Sequence, residues 1–180
     1  MIYYISDTHF GHKNIIKYEN RPFLTVEEMN EKIISNWNKK VNDDDEIYIL
    51  GDFSFYSPTD KRNVEILHQL KGHKHLIVGN HDRFARKESF DKELFESIDY
   101  YKEINDNGRI VCLFHYPIKV WDKKHYGAYH CYGHIHSNID LVDYKQDERA
   151  FNVGVDLNNF EPVTLDELIK RRGKIDDKIK

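Results

Sequence analysis

Seven side chains able to ligate a metal ion fall in five short segments of this 180-residue chain. Asp7 and His9 follow Ile2-Tyr3-Tyr4-Ile5, and Asp52 follows Ile47-Tyr48-Ile49-Leu50-Gly51. Asn80 follows Leu76-Ile77-Val78-Gly79, and His115 follows Ile110-Val111-Cys112-Leu113-Phe114. His134 and His136 complete the set in Tyr132-Gly133-His134-Ile135-His136. A ligand just past a strand is held by rigid backbone yet opens onto the sheet edge, where α/β folds place their sites. Oxygen and imidazole donors without thiolate suit Mn, Fe, Zn or Mg. Seven protein donors exceed what one hydrolytic ion with open positions needs, and they fit two ions sharing a carboxylate.

The elements that must position these groups are visible as apolar periodicity. Strand-like runs are predicted at 2–5, 46–50, 75–79, 109–115, 129–133 and 150–156, with a weaker one at 139–144. Thr25 can cap a helix reaching about Lys40, with Glu28 three residues on and Met29, Ile33 and Trp37 on one stripe. A second helix is predicted from Pro58-Thr59, with Val64, Leu67 and Leu70 inward and Gly72 as its stop. Thr164 and Glu167 form a capping box for a last one, and Ser89–Ser97 reads as a short fourth. Alternating strand and helix in the first half predicts parallel β-α-β units. The later strands follow one another with little helix between them, which predicts antiparallel pairing.

Composition narrows the class. A chain of 180 residues fits one domain, 1–180, with its own core. Charged residues reach 32%, and net charge is −4, so there is no large basic field for long duplex nucleic acid. The longest apolar runs are far too short to cross a bilayer. Met1 leads straight into a strand pattern, which predicts a cytoplasmic protein with Cys112 and Cys131 as buried thiols. Residues two apart in extended backbone point the same way, so Asp7 and His9 can share one ion, as can His134 and His136. Asp52 can bridge two ions through its two oxygens, while Asn80 and His115 add an oxygen and a nitrogen.

In this order the blocks Asp7-Thr8-His9, Gly51-Asp52, Gly79-Asn80-His81-Asp82, His115 and Gly133-His134-Ile135-His136 resemble the calcineurin-like metallophosphoesterase superfamily. The opening Ser6–His12 with Asn14-Ile15-Ile16, and the ending Asn152-Val153-Gly154-Val155-Asp156, look like its small bacterial and phage phosphoesterase branch. The resemblance implies a four-layer αββα sandwich of two mixed β-sheets flanked by helices, with a dinuclear metal site at the strand ends. It implies one ion held by Asp7, His9, Asp52 and His136, and a second by Asp52, Asn80, His115 and His134. The chain departs from the protein phosphatase branch, which carries an Asp and an Arg shortly after the bridging carboxylate. Here Phe53-Ser54-Phe55-Tyr56 stands at that place, and Asp82 stands where that branch has Glu.

Two divalent ions about 3.5–4 Å apart can acidify water and polarise a phosphoryl oxygen, so a nucleophile forms without a side-chain base. Expulsion of an alkoxide then needs a proton, and His81, one residue past Asn80, is the candidate general acid. Asp82 either orients the His81 imidazole or caps a turn. His12 is either a site residue or an exposed turn residue, and Arg21 either clamps phosphate or makes a surface salt bridge. Trp121, His125, Tyr126 and Tyr129 lie in the segment joining His115 to the last ligand pair, where they either stack a flat leaving group or pack under a loop. The expected activity is a metal-dependent phosphoesterase acting on a phosphodiester or small phosphomonoester, with a nucleotide among the candidate substrates. Its expected cofactor is two divalent ions, Mn first, with Fe, Zn, Ni or Mg as alternatives. The rivals are a nuclease for short or single-stranded nucleic acid and a non-catalytic metal-binding scaffold. No membrane partner is expected, and the oligomeric state is left open.

Overall fold

A computed structural model describes residues 1–138 and 147–179, with side chains through residue 173. The weaker strand expected at 139–144 lies outside the described residues. Strands β1 (Ile2–Ile5), β2 (Glu46–Ile49), β3 (His73–Ile77) and β4 (Ser97–Asp99) form one sheet, parallel throughout, in that order. Strands β5 (Tyr101–Asp106), β6 (Arg109–Phe114), β7 (Tyr129–Tyr132) and β8 (Ala150–Asn152) form a second, mixed sheet in the same sequential order.

Antiparallel pairing was expected for the later strands, but it holds only for β5 with β6. β6 pairs with β7, and β7 with β8, in parallel. The reason is connection length: β6 reaches β7 through residues 115–128, enough chain for the crossover that parallel neighbours require. The β5–β6 hairpin turns on Asn107 and Gly108 at φ 53° and 84°, the two positive φ values of a type I′ turn. That Asn-Gly pair was the available signal for β5, which the periodicity reading missed. The helix expected over Ser89–Ser97 reduces to a 3₁₀ turn at Lys92–Leu94. Backbone pairing with β3 takes the rest: Glu96 N donates to Lys74 O at 2.8 Å, and β4 follows.

Helix α1 (Ile15–Tyr18) is a single turn. Helix α2 (Val26–Lys40) starts at Thr25, whose hydroxyl accepts from Glu28 N at 3.1 Å, and it buries Met29, Ile33 and Trp37. Helix α3 (Arg62–Gln69) begins later than Pro58, because residues 57–60 close a turn in which Asp60 N donates to Ser57 O. Helix α4 (Leu165–Ile179) carries the expected capping box: Thr164 N donates to Glu167 Oε2 at 2.8 Å, and Glu167 N to Thr164 Oγ1 at 3.3 Å.

Period-2 alternation sorts the side chains into layers. Tyr3, Ile5, Ile47, Ile49, Leu76 and Val78 face α2 and α3. Tyr4, Tyr48, Leu50 and Ile77 face the other way and meet Val111, Leu113, Cys131 and Phe151 of the second sheet. Leu165 and Leu168 of α4 close this inter-sheet core. Each such buried side chain contributes roughly 1.5–3 kcal/mol. On the outer face of the second sheet Cys112, Tyr132 and Ala150 pack under Trp121, Ala128 and Ile135. Cys112 and Cys131 are therefore on opposite faces, and both are free, buried thiols. Among the described residues no helix is long and apolar enough to cross a membrane.

Candidate metal centre

Because β1, β2, β3, β6 and β7 all sit in parallel runs, their C-terminal ends deliver one donor segment each. Asp7 and His9 leave β1, Asp52 leaves β2, Asn80 leaves β3, His115 leaves β6, and His134 and His136 leave β7. The structure brings all seven together, though not by the extended backbone expected for Asp7–His9 and His134–His136. Asp7, His9, Asp52, His134 and His136 adopt φ values of 55°, 50°, 54°, 71° and 49°. The left-handed region is unfavourable for residues with a Cβ, and such strain collects at functional sites. Close approach also needs glycine: a Cβ on Gly133 would stand 2.1 Å from Ser6 Oγ and 2.5 Å from Asp7 Oδ2, and one on Gly79 would stand 2.4 Å from Asp52 Oδ1.

Two sets of donor atoms result, each within 4.8 Å of one another: Asp7, His9 and His136, and Asp52, His115 and His134. His9 Nε2 and His136 Nε2 lie 3.3 Å apart. Asp52 Oδ2 stands 3.6 Å from His9 Nε2 and 3.6 Å from His115 Nε2, so one oxygen faces both sets. Asn80 Oδ1 is 3.0 Å from His115 Nε2. His115 Nδ1 lies 2.7 Å from Leu50 O, the partner that leaves Nε2 with its lone pair toward the centre. His136 Nδ1 lies 2.8 Å from Asp156 Oδ2, with the same consequence for its Nε2. Asp7, Asp52 and His115 are almost wholly buried, so a carboxylate pair sits in a water-poor place that calls for compensating positive charge. Oxygen and nitrogen donors, two carboxylates and imidazoles presenting lone pairs fit a pair of divalent cations.

The surrounding groups hold the donors in place. Asp156, quoted in the sequence only as part of a closing motif, accepts from Arg21 Nε at 2.7 Å and Nη2 at 3.0 Å as well as facing His136. Arg21 also donates to Thr8 O at 3.0 Å and Asp7 O at 2.7 Å. Its guanidinium is thus buried and fully engaged beneath the ligand turn, which removes it as a phosphate clamp. The expected surface salt bridge is corrected as well: Arg21 pairs with Asp156, but both side chains are buried. Asp82 likewise does not orient His81. Its carboxylate accepts from Gly79 N, Asp52 N and Phe53 N at 2.8–2.9 Å, tying the β2 and β3 exits together. Asn152 Nδ2 donates to His136 O at 2.9 Å. Apart from the local bond from Gly79 N to Asp82, these bonds join separate segments of the chain and have no sequence signature.

Burial and electrostatics set the protonation of the metal-free site. Burial raises the Asp7 carboxyl, though His136 and His115 oppose it. Burial lowers His9 well below the usual imidazole range. Burial also pulls His136 down, but the Asp156 hydrogen bond and the charge of Asp7 outweigh it, and the net shift is upward. Burial raises Asp156, and the His136 and Arg21 contacts outweigh that, so its net shift is downward. Burial and the charge of Asp52 push Asp82 up to about 6.

Of the residues expected to meet substrate, His81 and His12 adjoin the centre. The His81 ring lies 5.4 Å from the His9 ring, and its backbone N donates to Asp52 Oδ1 at 2.8 Å. The His12 ring is 5.4 Å from His9, and its buried Nδ1 has no hydrogen-bond partner. Trp121 is a packing residue instead: it is buried on the outer face of the second sheet and donates Nε1 to Ala128 O at 2.9 Å. Tyr126 is 82% exposed, and its ring lies 4.1 Å from that of His125, tilted by 43°. Tyr116, which the sequence reading passed over, sets its ring edge-on against His115 at 4.9 Å and His134 at 4.6 Å.

Comparison with known proteins gives the same frame. The family described as the calcineurin-like phosphoesterase superfamily domain matches residues 1–157. An uncharacterized protein of Methanocaldococcus jannaschii is 40% identical over 178 residues, covering 97% of this chain and 93% of that protein. The gene 66 protein of Mycobacterium phage L5 is 36% identical over 83 residues, covering 44% of this chain and 39% of that one. A crystal structure of a protein of unknown function from Aquifex aeolicus superposes with a TM-score of 0.76 at 29% identity, covering 94% of this chain and 98% of the other.

Proposed function

This chain belongs to the calcineurin-like phosphoesterase superfamily, and we propose that it is a metal-dependent phosphoric ester hydrolase acting on a phosphodiester or a small phosphomonoester. The observation that carries the reading is Asp52 Oδ2, 3.6 Å from a histidine of each donor set. An oxygen so placed is suited to serve two cations at once. Asp7, His9 and His136 would hold one ion, Asn80, His115 and His134 the other, and Asp52 both. Bound there, two divalent cations supply the positive charge that polarises a phosphoryl oxygen and acidifies an attacking water.

The chain's own residues divide the remaining work. His81 stands beside His9 at the mouth of the centre and donates the proton that the leaving oxygen requires. Asp82 holds the loops that carry Asp52 and Asn80 in register through three backbone amides. Asp156 keeps Nδ1 of His136 occupied, so Nε2 stays available to a cation. His12 lines the substrate side. Mn is the first ion to test, ahead of Fe, Zn, Ni and Mg, because this donor set accepts several first-row ions.

The experiment is a turnover assay on chelator-stripped protein reloaded with each ion, using one chromogenic diester and one monoester. Metal-dependent hydrolysis of either is expected. No turnover with any ion, in protein that has taken up metal, would favour a binding scaffold.

A further inference from the structure

With Trp121 committed to the far face of the second sheet, a different aromatic surface borders the centre. The Phe55 ring lies 3.8 Å from His12, tilted by 32°, and 5.2 Å from His81. Tyr18 also meets the His12 ring, edge-on at 6.2 Å. His12 and His81 each stand 5.4 Å from His9. Phe55 is 45% exposed and Tyr18 68% exposed, so these rings present open surface beside the donors.

The position of Phe55 is built rather than incidental. Phe10 N donates to Phe53 O at 3.0 Å, and Phe55 N to Phe10 O at 2.9 Å, so the loop is laced to the first ligand turn. The neighbours Phe53 and Ser54 are buried, and Ser54 Oγ donates to Asn63 Oδ1 at 2.6 Å. Behind Phe55, Tyr56 accepts from Asn30 Nδ2 at 3.0 Å and lies under the Arg62 guanidinium at 4.0 Å. Gly11, at φ 81°, makes room for that ring, since a Cβ there would stand 2.5 Å from it. The loop is therefore locked with Phe55 outward, at the place where the protein phosphatase branch carries charged residues. A single exposed aromatic means little. One held rigidly between the candidate acid and a second site histidine has an adjacent use.

We propose that Phe55, backed by His12 and extended by Tyr18, is an aromatic shelf that stacks a planar ring in the leaving group of the ester. The shelf rests on the phosphoesterase reading and narrows its substrate class to esters of aromatic-ring-bearing alcohols. Its attraction is face-to-face or offset stacking, which tolerates different rings and needs no hydrogen-bond readout.

The test compares phenyl phosphate with methyl phosphate on Mn-loaded protein, by titration calorimetry and by turnover. Wild type is expected to prefer the phenyl ester. Phe55→Ala is expected to reduce the phenyl-over-methyl ratio of affinities by roughly 5- to 150-fold, the range for loss of one stacking partner. Phe55→Trp should retain the preference. Metal content and thermal melting of each variant separate lost stacking from lost folding. An absent phenyl preference in wild type, or a ratio unmoved in folded, metal-replete Phe55→Ala, overturns the shelf. If either appears alongside turnover, only the shelf falls; if wild type turns over neither these esters nor the chromogenic diester with any ion, the hydrolase reading and the shelf fall together.

Discussion

At the residue scale the centre shows how backbone strain and buried charge are traded for convergence. Five of the seven donors occupy the left-handed region, and Arg21, Asp156 and Asp82 hold the turns that impose it. If His81 is the proton donor and not a ligand, His81→Ala will keep both ions and lose about 10²–10⁴ in turnover. Elemental analysis beside steady-state rates checks this, and near-unchanged turnover removes His81 from the mechanism. Asp156→Asn should weaken metal binding by roughly 10–100-fold, because His136 loses the partner that orients it. It should also alter the pH profile. Asp156 helps His136 hold a proton, and a cation must displace that proton, so wild-type metal affinity rises as pH increases through the raised His136 value. Without the carboxylate that rise should move to lower pH in metal titrations run across a pH series. An unshifted profile would deny Asp156 the positioning role.

At the element scale, parallel pairing is what makes the site possible. β1, β2 and β3 run in parallel in one sheet and β6 and β7 in parallel in the other, so five strand ends can share one rim. An antiparallel β6–β7 hairpin would have sent His115 and His134 to opposite edges. The crossover at 115–128 prevents this, and Trp121 and Ala128 anchor it to the outer face. Glycine at the strand exits sets the last few ångströms. Gly133→Ala should disturb Ser6 and Asp7 directly. We expect it to lose more metal affinity at the Asp7 set than folding stability, as read by metal titration and chemical denaturation. Full metal occupancy in that variant would show that the turn can relax.

At the scale of the whole molecule, buried carboxylates would couple folding to the proposed metal binding. In the metal-free protein Asp7 is raised, and Asp82 stands at about 6 against an ordinary 3.8. Between those two values folded Asp82 holds a proton that the unfolded chain has released. Its share of stability therefore falls as pH rises from about 3.8 to about 6 and then levels. Asp156 has the opposite sign: its pKa is lowered from 3.8, so its contribution is present above that value and is lost as pH falls through the folded one. Cations should offset the first penalty. Chelation should accordingly lower the melting temperature, and the gap between Mn-loaded and chelated protein should widen as pH rises through about 6. Ligand at 100 times its Kd contributes about 2.7 kcal/mol, enough to read in a melting curve. A gap that narrows over that range would contradict the account.

The amino-acid sequence by itself determined the chemistry on offer. Donor types, their places after apolar runs, the Thr25 and Thr164 caps and the alternation that sorts Tyr3 from Tyr4 are local properties, and local properties are written in adjacent residues. Only the tertiary structure decided which segments meet. The left-handed turns at the donors, the Arg21–Asp156–His136 chain, the parallel β6–β7 pairing and the exchange of Trp121 for Phe55 at the rim all depend on contacts between distant parts of the chain. Those contacts are chosen by the packing of two sheets, which no window along the sequence contains.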